Sequence, residues 1–361
     1  MLKNKKILII SPQDWDSIKL SKHHYALTLS KLNNCVYFLN PIKSGVYSKI
    51  TKNKEVNVID FKIPLPYFFK FKFKYLFNLI LSQYFKFWIK IKKIKFDIIW
   101  DFDNTSQFNN YSIFKNAVKI WHPVDPTKIT FTNKKKPDII FSISKLILES
   151  QKIECPKYFI NHGLADIFVN QAVKNLENFQ QIDKIQKVGY CGNLDIKNLN
   201  REILIKLTNK YPQITFYFIG PYFNSGNLYK NLQDKPNVIF TGSLYNSELV
   251  QKINQMDLLL YNYISDNQSY FGDNSHKILE YLSTGKIILG TQLLAYKELT
   301  DLVIQVNTDN EFISKFDEIV NDTSKFYNKD IYKRKIKFAI ANSYENHIVN
   351  IEKILIQNNL I

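Results

Sequence analysis

The chain alternates short apolar runs with segments of helical periodicity, and the alternation occurs twice along its length. In the first half the apolar runs are Ile7–Ile10, Cys35–Leu39, Val56–Phe61, Ile98–Trp100, Val118–Trp121, Ile139–Ile143 and Tyr158–Ile160. In the second half they are Val188–Cys191, Ile214–Ile219, Val238–Thr241, Leu258–Tyr261, Lys286–Leu289 and Val303–Val306. Short buried strands separated by helices are typical of a parallel sheet that helices cover on both faces. The sequence therefore predicts an α/β protein with two doubly wound, Rossmann-like parallel-sheet domains facing a cleft.

The length of 361 residues fits two domains better than one core. We place the first domain at residues 1–170 and the second at 187–340, with the boundary in the polar segment 170–187. The last stretch, 341–361, holds a helical run that we expect to pack back toward the first domain. No apolar stretch approaches the length of about 18 residues that a membrane-spanning helix needs.

The chain carries 49 Lys and Arg against 32 Asp and Glu, a net charge of +17. This balance favours an anionic partner such as a nucleic acid, an anionic lipid or a phosphorylated substrate, although a biased genome also explains a lysine-rich composition. Three widely spaced cysteines, Cys35, Cys155 and Cys191, predict neither a disulfide framework nor a zinc site. They favour a reducing compartment, and the apolar run Ile7–Ile10 is too short for a signal peptide, so we predict a cytoplasmic protein.

The segment from Gly272 to Gly290, GDNSHKILEYLSTGKIILG, holds the main candidate site. Ser275 and the two residues before it are good helix caps, and the amides at the start of the predicted helix suit a diphosphate. Lys277 adds a charged contact, and Glu280 can accept hydrogen bonds from two neighbouring hydroxyls, as a ribose offers. The alternative is an ordinary capped helix in which Lys277 and Glu280 form a surface pair.

This segment resembles the donor-binding motif of GT-B glycosyltransferases, particularly the retaining family 4 type that includes enzymes of teichuronic acid and polysaccharide biosynthesis. Within it the match rests on Lys277, Glu280, Tyr281, Leu282, Gly285 and Lys286. Four further pieces follow the family's order, namely VGYCGNL from Val188, FYFIGP from Phe216, PNVIFTGSL from Pro236 and MDLLLYNY from Met256. The resemblance implies a nucleotide-diphosphate-sugar donor, no required metal or other cofactor, and transfer with retention.

The resemblance also assigns donor-binding residues, which are Gly192, Asn193, Lys197, Gly220, Pro221, Ser243, Leu244, Ser275, His276, Lys277 and Glu280. One departure concerns two glutamates that many members carry eight positions apart. Glu280 matches the second, whereas Gly272 stands at the first, which lies near the donor sugar in those members. Asp273 is the candidate substitute after a shift of one residue.

The loop after the strand Val118–Trp121 reads WHPVDPTKI and supplies two further catalytic candidates. His122 is assigned a hydrogen bond to the transferring sugar, and Asp125 the orientation or deprotonation of an acceptor hydroxyl. A proline-flanked turn is the alternative for this loop. The pair Asp101 and Asp103 resembles the metal-binding Asp-x-Asp of GT-A enzymes, but those lack a second Rossmann-like unit, and we predict no metal site.

Residues 61–96 contain nine lysines, thirteen aromatic residues and no acidic residue. Such a segment suits an anionic membrane surface, with lysines at the headgroups and rings in the interface. A domain helix with a lysine-rich solvent face is the alternative. No RNP-like, KH or zinc signature accompanies the basic residues, so nucleic acid is not a predicted partner.

Together these features predict a glycosyltransferase that uses a saccharide or lipid-linked acceptor in cell-surface polysaccharide synthesis, at the inner face of the cell membrane. Two rival functions remain open at this point. A nucleotide-sugar epimerase of GT-B shape would convert the donor without an acceptor. A non-catalytic membrane-associated binding protein would keep the fold without turnover.

Overall fold

The computed structural model describes residues 2–66, 68–105, 108–127, 129, 131–132, 134–223, 226–264 and 274–361. The chain divides into two compact units. The first comprises Met1–Asn161 together with Tyr344–Ile361, and the second comprises His162–Ser343. Both units contain a mainly parallel sheet with helices, so the predicted α/β class is confirmed.

Among its described residues, the first unit contains ten strands and four helices before the chain enters the second unit. They are β1 (Lys6–Ile10), α1 (Ser21–Lys31), β2 (Cys35–Leu39), β3 (Lys43–Ser44), β4 (Lys49–Asn53), β5 (Val56–Asp60), β6 (Lys62–Ile63), α2 (Phe69–Lys72), α3 (Lys74–Ile91), β7 (Ile98–Asp101), β8 (Val118–Trp121), β9 (Ile139–Ser142), α4 (Lys145–Ser150) and β10 (Lys157–Phe159). Eight of these strands form one sheet in the order β10-β9-β8-β7-β1-β2-β5-β4. All neighbouring pairs are parallel except β4 with β5, which is antiparallel.

Strand β1 shows why this sheet is buried on both faces. Ile7 and Ile9 join one hydrophobic cluster, whereas Leu8 and Ile10 join another on the opposite face. Successive side chains of a strand point to opposite faces, so an unbroken apolar run needs cover on both sides. Helix α1 supplies residues to the first cluster and helix α3 to the second.

The second unit contains a six-stranded, wholly parallel sheet and seven helices among the described residues. Its elements are α5 (Asp166–Asn175), β11 (Lys187–Cys191), α6 (Arg201–Lys210), β12 (Thr215–Ile219), α7 (Asn227–Leu232), β13 (Val238–Gly242), α8 (Asn246–Asn254), β14 (Leu258–Tyr261), α9 (His276–Leu282), β15 (Ile287–Thr291), β16 (Ile304–Val306), α10 (Asp309–Asn321) and α11 (Lys329–Ala341). The strand order β13-β12-β11-β14-β15-β16 reverses direction between β11 and β14. Open parallel sheets bind ligands outside the carboxyl ends of the strands at such a reversal.

The terminal helix α12 (Tyr344–Gln357) returns to the first unit and covers the same sheet face as α1. Ile348, Ile351 and Leu355 are fully buried there. The Tyr25 hydroxyl of α1 and Nδ1 of His347 lie 3.1 Å apart, which adds a buried polar contact between the two helices.

The edge strand β4 was not predicted from the sequence. It reads KITKN, and all five of its side chains are exposed or half-exposed at the edge of the sheet. An edge strand needs no unbroken apolar run, so a pattern of buried runs does not detect it. Within the described ranges, no helix combines the length and apolar character needed to cross a bilayer.

Two isoleucines of α12 provide a test of its packing. Ile351 is fully buried, whereas Ile356 is 54% exposed. We expect Ile351→Ala to lower the free energy of unfolding by about 2–5 kcal/mol, because it leaves a cavity under the sheet. Ile356→Ala is the matched control and should change it by less than about 0.5 kcal/mol. Urea unfolding of both variants measures this, and equal losses would contradict the packing described here.

Candidate functional site

Three loops meet at the carboxyl ends of β11, β12 and β13. The amide of Gly192 donates to the Ile219 carbonyl at 2.8 Å, and the amide of Gly220 donates to the Gly242 carbonyl at 2.9 Å. Two residues beyond Gly192, the amide of Leu194 donates to the Pro221 carbonyl at 2.9 Å. These bonds hold the predicted donor-binding loops side by side at the reversal of the strand order.

Glycine is required at two of these positions by close contact as well as by backbone conformation. Gly192 and Gly220 have φ of +153° and +140°. A Cβ added to Gly220 would lie 2.0 Å from the Gly192 carbonyl oxygen, and one added to Gly192 would lie 2.0 Å from Nζ of Lys277. The space that a side chain would fill beside Gly192 is thus taken by the Lys277 ammonium.

Lys277 extends from the first turn of α9 to the end of β11. Its ammonium donates a hydrogen bond to the Tyr263 hydroxyl, and it lies 5.4 Å from the centroid of the Tyr190 ring and 5.1 Å from that of Tyr263. The two tyrosine hydroxyls are themselves 3.0 Å apart. Aromatic faces attract a cation, so this pair of rings fixes the ammonium at the strand ends. Neither tyrosine was predicted from the sequence as a site residue, although each lies in a matched motif.

Glu280 lies one turn after Lys277 on the same helix and is partly exposed. Burial raises the pKa of its carboxyl to about 7, and the charge of Lys277 opposes this shift. The protein interior penalises the ionised form, so near neutrality the group exchanges between an acceptor-only carboxylate and a neutral acid. Lys277 and Glu280 are therefore not an ordinary solvated surface pair.

Tyr281 anchors α9 to the sheet. Its hydroxyl accepts a hydrogen bond from the Cys191 amide at 2.7 Å and lies 3.3 Å from the carbonyl oxygens of Cys191 and Leu260. The matched tyrosine of the family motif thus positions the helix. Gly285 lies in the turn after α9 and has a φ of +71°. A Cβ added to Gly285 would lie 2.3 Å from the Tyr332 ring.

Ser275 occupies the N-cap position of α9, but its side chain does not cap the helix. Its hydroxyl interacts instead with the phenol of Tyr261. His276 is exposed, and its ring packs edge-on against His162 with centroids 5.8 Å apart. Asp273 and Gly272 lie outside the described residues.

The remaining predicted donor residues lie on the same loops but differ in exposure. Asn193 is exposed, and its Oδ1 accepts from the Asp195 amide at 2.9 Å. Ser243 is exposed, whereas Leu244 packs partly against the core of the unit. Lys197 is exposed and borders a concavity of about 330 Å³ at the start of α6.

Arg201, which was not predicted as a site residue, stabilises the loop after β11. Its Nη2 donates to the carbonyls of Leu194 and Ile196 at 2.7 and 2.8 Å. It also lines the concavity beside Lys197. An arginine directly after a predicted loop carries no motif, so only the folded chain reveals this role.

His122, the first candidate of the first unit, is 1% exposed and lies directly after β8. Its Nδ1 accepts from Nε1 of Trp100 at 3.3 Å, and its ring stacks on Phe102 with centroids 4.9 Å apart. Burial lowers the pKa of His122 to about 3. The imidazole is therefore neutral at physiological pH, and with Nδ1 as acceptor its proton is on Nε2.

Asp125, the second candidate, is exposed in the loop after β8. Its carboxylate interacts electrostatically with Lys22, which is only 3% exposed. Burial lowers the pKa of Lys22 to about 8, although Asp125 and Asp103 oppose the shift. The structure thus places near Asp125 a buried lysine that was not predicted from the sequence.

The first aspartate of the Asp-x-Asp pattern contacts other side chains of the protein. Asp101 is fully buried, its Oδ2 accepts from the Tyr111 hydroxyl at 2.6 Å, and the Lys135 ammonium lies 3.6 Å away. Burial raises the pKa of Asp101 to about 6, with Lys135 opposing. Among the described residues, no three His, Cys, Asp or Glu side chains gather as metal ligands would.

Neither a protein-family model nor a curated protein matches this chain. Solved structures match over almost its full length. A glycosyltransferase from Rickettsia africae has a TM-score of 0.65 and 12% identity, with 99% of each chain covered. Anabaena HepE, in complex with UDP and glucose, has a TM-score of 0.63 and 14% identity, with 97% of this chain and 100% of that chain covered.

A third similar structure is the trehalose-6-phosphate synthase of E. coli bound with UDP-2-fluoro glucose. It has a TM-score of 0.61 and 12% identity, with 94% of this chain and 96% of that chain covered. At such identities the likeness concerns the fold. The chain has the GT-B fold of two parallel-sheet domains, which confirms the predicted architecture. Assignment to family 4 stays a prediction.

Two glycines of the site differ in a way that tests the loop packing. Gly220 and Gly242 both have positive φ, but a Cβ on Gly242 would have no atom within 4 Å. We expect Gly242→Ala to cost about 1–2 kcal/mol from backbone strain alone. Gly220→Ala should cost clearly more, because the loop after β11 must also move away. Thermal unfolding compares the two, and equal destabilisation would contradict the close contact.

Proposed function

We propose that this chain is a glycosyltransferase that moves a sugar from a nucleotide-diphosphate-sugar to a saccharide or lipid-linked acceptor. The observation that carries the proposal is the Lys277 ammonium, held by Tyr190 and Tyr263 against the Gly192 loop. In the reaction the bond from the anomeric carbon to the diphosphate breaks, and a bond to the acceptor oxygen forms. The diphosphate leaves with added negative charge, and a fixed ammonium stabilises that charge without reorganisation.

The donor class is supported by the similar structures, two of which were solved with UDP or a UDP-sugar analogue. We assign Glu280 to the ribose hydroxyls, and the loops of Gly192, Gly220 and Ser243 to the rest of the nucleotide. Lys197, which borders the concavity at the start of α6, is assigned to the phosphates. We further propose that the enzyme is of the family 4 type, needs no metal ion and retains the configuration of the anomeric carbon.

Three side chains are assigned to the reacting groups. His122 is neutral and carries its proton on Nε2, so it can donate a hydrogen bond to the transferring sugar. Asp125 is exposed and can accept the proton of an acceptor hydroxyl. Asp273 is assigned a place near the donor sugar, on the basis of the family resemblance alone.

The cellular setting follows from the acceptor class. We propose a role in cell-surface polysaccharide synthesis, in the cytoplasm at the inner face of the membrane. The basic and aromatic residues 61–96 support contact with an anionic membrane, where a lipid-linked acceptor would be found. We propose no nucleic-acid partner, because no RNP-like, KH or zinc signature accompanies the basic residues.

Replacing Lys277 tests the donor site. We expect Lys277→Ala to lower kcat/KM by about 100- to 1,000-fold, because the leaving diphosphate loses its ammonium. Lys230→Ala, at an exposed position of α7, should retain full activity. Mass spectrometry of nucleotide-sugars incubated with a lipid extract measures turnover, with circular dichroism as the folding control. Full activity of folded Lys277→Ala would refute the assignment.

The same assay separates the proposed reaction from its rivals. A transferase releases nucleoside diphosphate and needs the acceptor. An epimerase converts the nucleotide-sugar without acceptor and releases no nucleoside diphosphate. A binding protein binds a nucleotide-sugar and leaves it unchanged.

Titration of Glu280 makes the donor site sensitive to pH. The carboxylate accepts from the ribose hydroxyls better than the neutral acid does, and its pKa is about 7. Binding of the preferred nucleoside diphosphate should therefore tighten by up to about tenfold between one pH unit below and one above that value. Glu280→Gln cannot ionise, so it is the control: any pH dependence that remains in this variant comes from the ligand itself. Calorimetry on both proteins measures the difference, and identical profiles would rule out this role for Glu280.

A further inference from the structure

The first unit exposes large apolar side chains along α2 and α3. Phe71 and Tyr75 are 73% and 77% exposed, and Phe87 and Ile91 are 60% and 58% exposed. Among the described residues of this stretch, the exposed large apolar side chains are Phe68, Phe71, Phe73, Tyr75, Leu76, Leu79, Phe87 and Ile91. We call this set, together with the lysines between residues 70 and 95, the lysine–aromatic face.

Helix α3 has two different apolar faces. Phe77, Leu81, Phe85 and Trp88 are buried against the sheet. At 100° per residue, these positions lie within one half of the helix, whereas Tyr75, Leu76, Leu79, Phe87 and Ile91 lie within the other. The inner half alone accounts for the packing of α3 on its unit. The outer half therefore needs a separate explanation, since an amphipathic domain helix normally presents polar residues to water.

Lysines are interspersed with the exposed rings. Seven are exposed, namely Lys72, Lys74, Lys86, Lys90, Lys92, Lys93 and Lys95. Residues 61–96 contain no acidic residue, and none of these seven forms an ion pair with a described residue. The face therefore combines apolar rings with uncompensated positive charge. An anionic bilayer complements both properties, since its phosphates attract lysines and its interface accommodates aromatic rings.

We propose that the lysine–aromatic face docks onto an anionic lipid bilayer, with α3 lying in the plane of the membrane surface. Phe71, Tyr75, Leu79, Phe87 and Ile91 enter the headgroup region, and the lysines contact lipid phosphates. If the proposed function holds, the lysine–aromatic face is the surface that brings the transferase to a lipid-linked acceptor in the membrane. The docking itself requires neither donor nor turnover, so it is testable apart from the proposed function.

Vesicle sedimentation of the full-length protein tests the charge requirement. We expect binding to vesicles that contain phosphatidylglycerol, weak binding to pure phosphatidylcholine vesicles, and weaker binding to the anionic vesicles at high salt. Equal binding to both kinds of vesicle, or none to either, would overturn the proposal. Lys277→Ala should bind like the unchanged protein, which separates docking from donor chemistry.

Matched substitutions test the surface. Tyr75→Ser and Phe87→Ser remove exposed rings and should weaken binding to anionic vesicles by roughly tenfold each. Phe223→Ser, in the second unit, and Val46→Ser, elsewhere in the first, change side chains that are 90% and 78% exposed. Both controls should bind normally. Equal losses in controls and face variants would refute the assigned surface.

A fluorescent reporter tests insertion directly. The four native tryptophans, Trp15, Trp88, Trp100 and Trp121, are all buried. Phe87→Trp therefore introduces an exposed tryptophan, whose emission should shift to the blue and lose access to a soluble quencher when anionic vesicles are added. An unchanged spectrum with the protein bound would show that the face stays in water. Binding to RNA that anionic vesicles fail to displace would likewise overturn a membrane as the partner.

Discussion

The close approach of two glycine backbones at the ends of β11 and β12 is the constraint on which the proposed donor site depends. A Cβ on Gly220 would collide with the Gly192 carbonyl, and a Cβ on Gly192 would collide with the Lys277 ammonium. The absence of both side chains lets the loops lie together and lets the lysine reach the strand ends. Because the strand order reverses beside β11, this contact falls where an open parallel sheet binds ligands.

Helix α9 places two ionisable side chains beside that backbone arrangement. Tyr281 fixes the helix to the ends of β11 and β14 through three backbone contacts. With the helix fixed, Lys277 points into the Gly192 loop, and Glu280 lies one turn further along. The cation is held by aromatic rings, whereas burial favours the neutral form of the carboxyl. Lys277 and Glu280 therefore have different electrostatic environments although they lie one turn apart on one short helix.

The first unit places its titratable groups differently. His122 and Asp101 are buried at the ends of neighbouring strands, and each is bonded to a partner from the same unit. Lys22 is buried as well, within electrostatic reach of Asp125. Burial raises the pKa of the acid Asp101 and lowers the pKa values of the bases His122 and Lys22, so all three are shifted toward their neutral forms.

The sequence by itself determined the two parallel sheets and helix α9, because unbroken apolar runs and cap and turn residues are visible in a short stretch of sequence. The motif around this helix also identified Lys277 and Glu280 as candidate site residues. Only the tertiary structure decided that Tyr190 and Tyr263 hold the lysine, that Arg201 braces the loop and that Lys22 is buried near Asp125. These pairings join residues far apart in sequence. Their chemistry arises from burial and close contact, which a linear pattern does not contain.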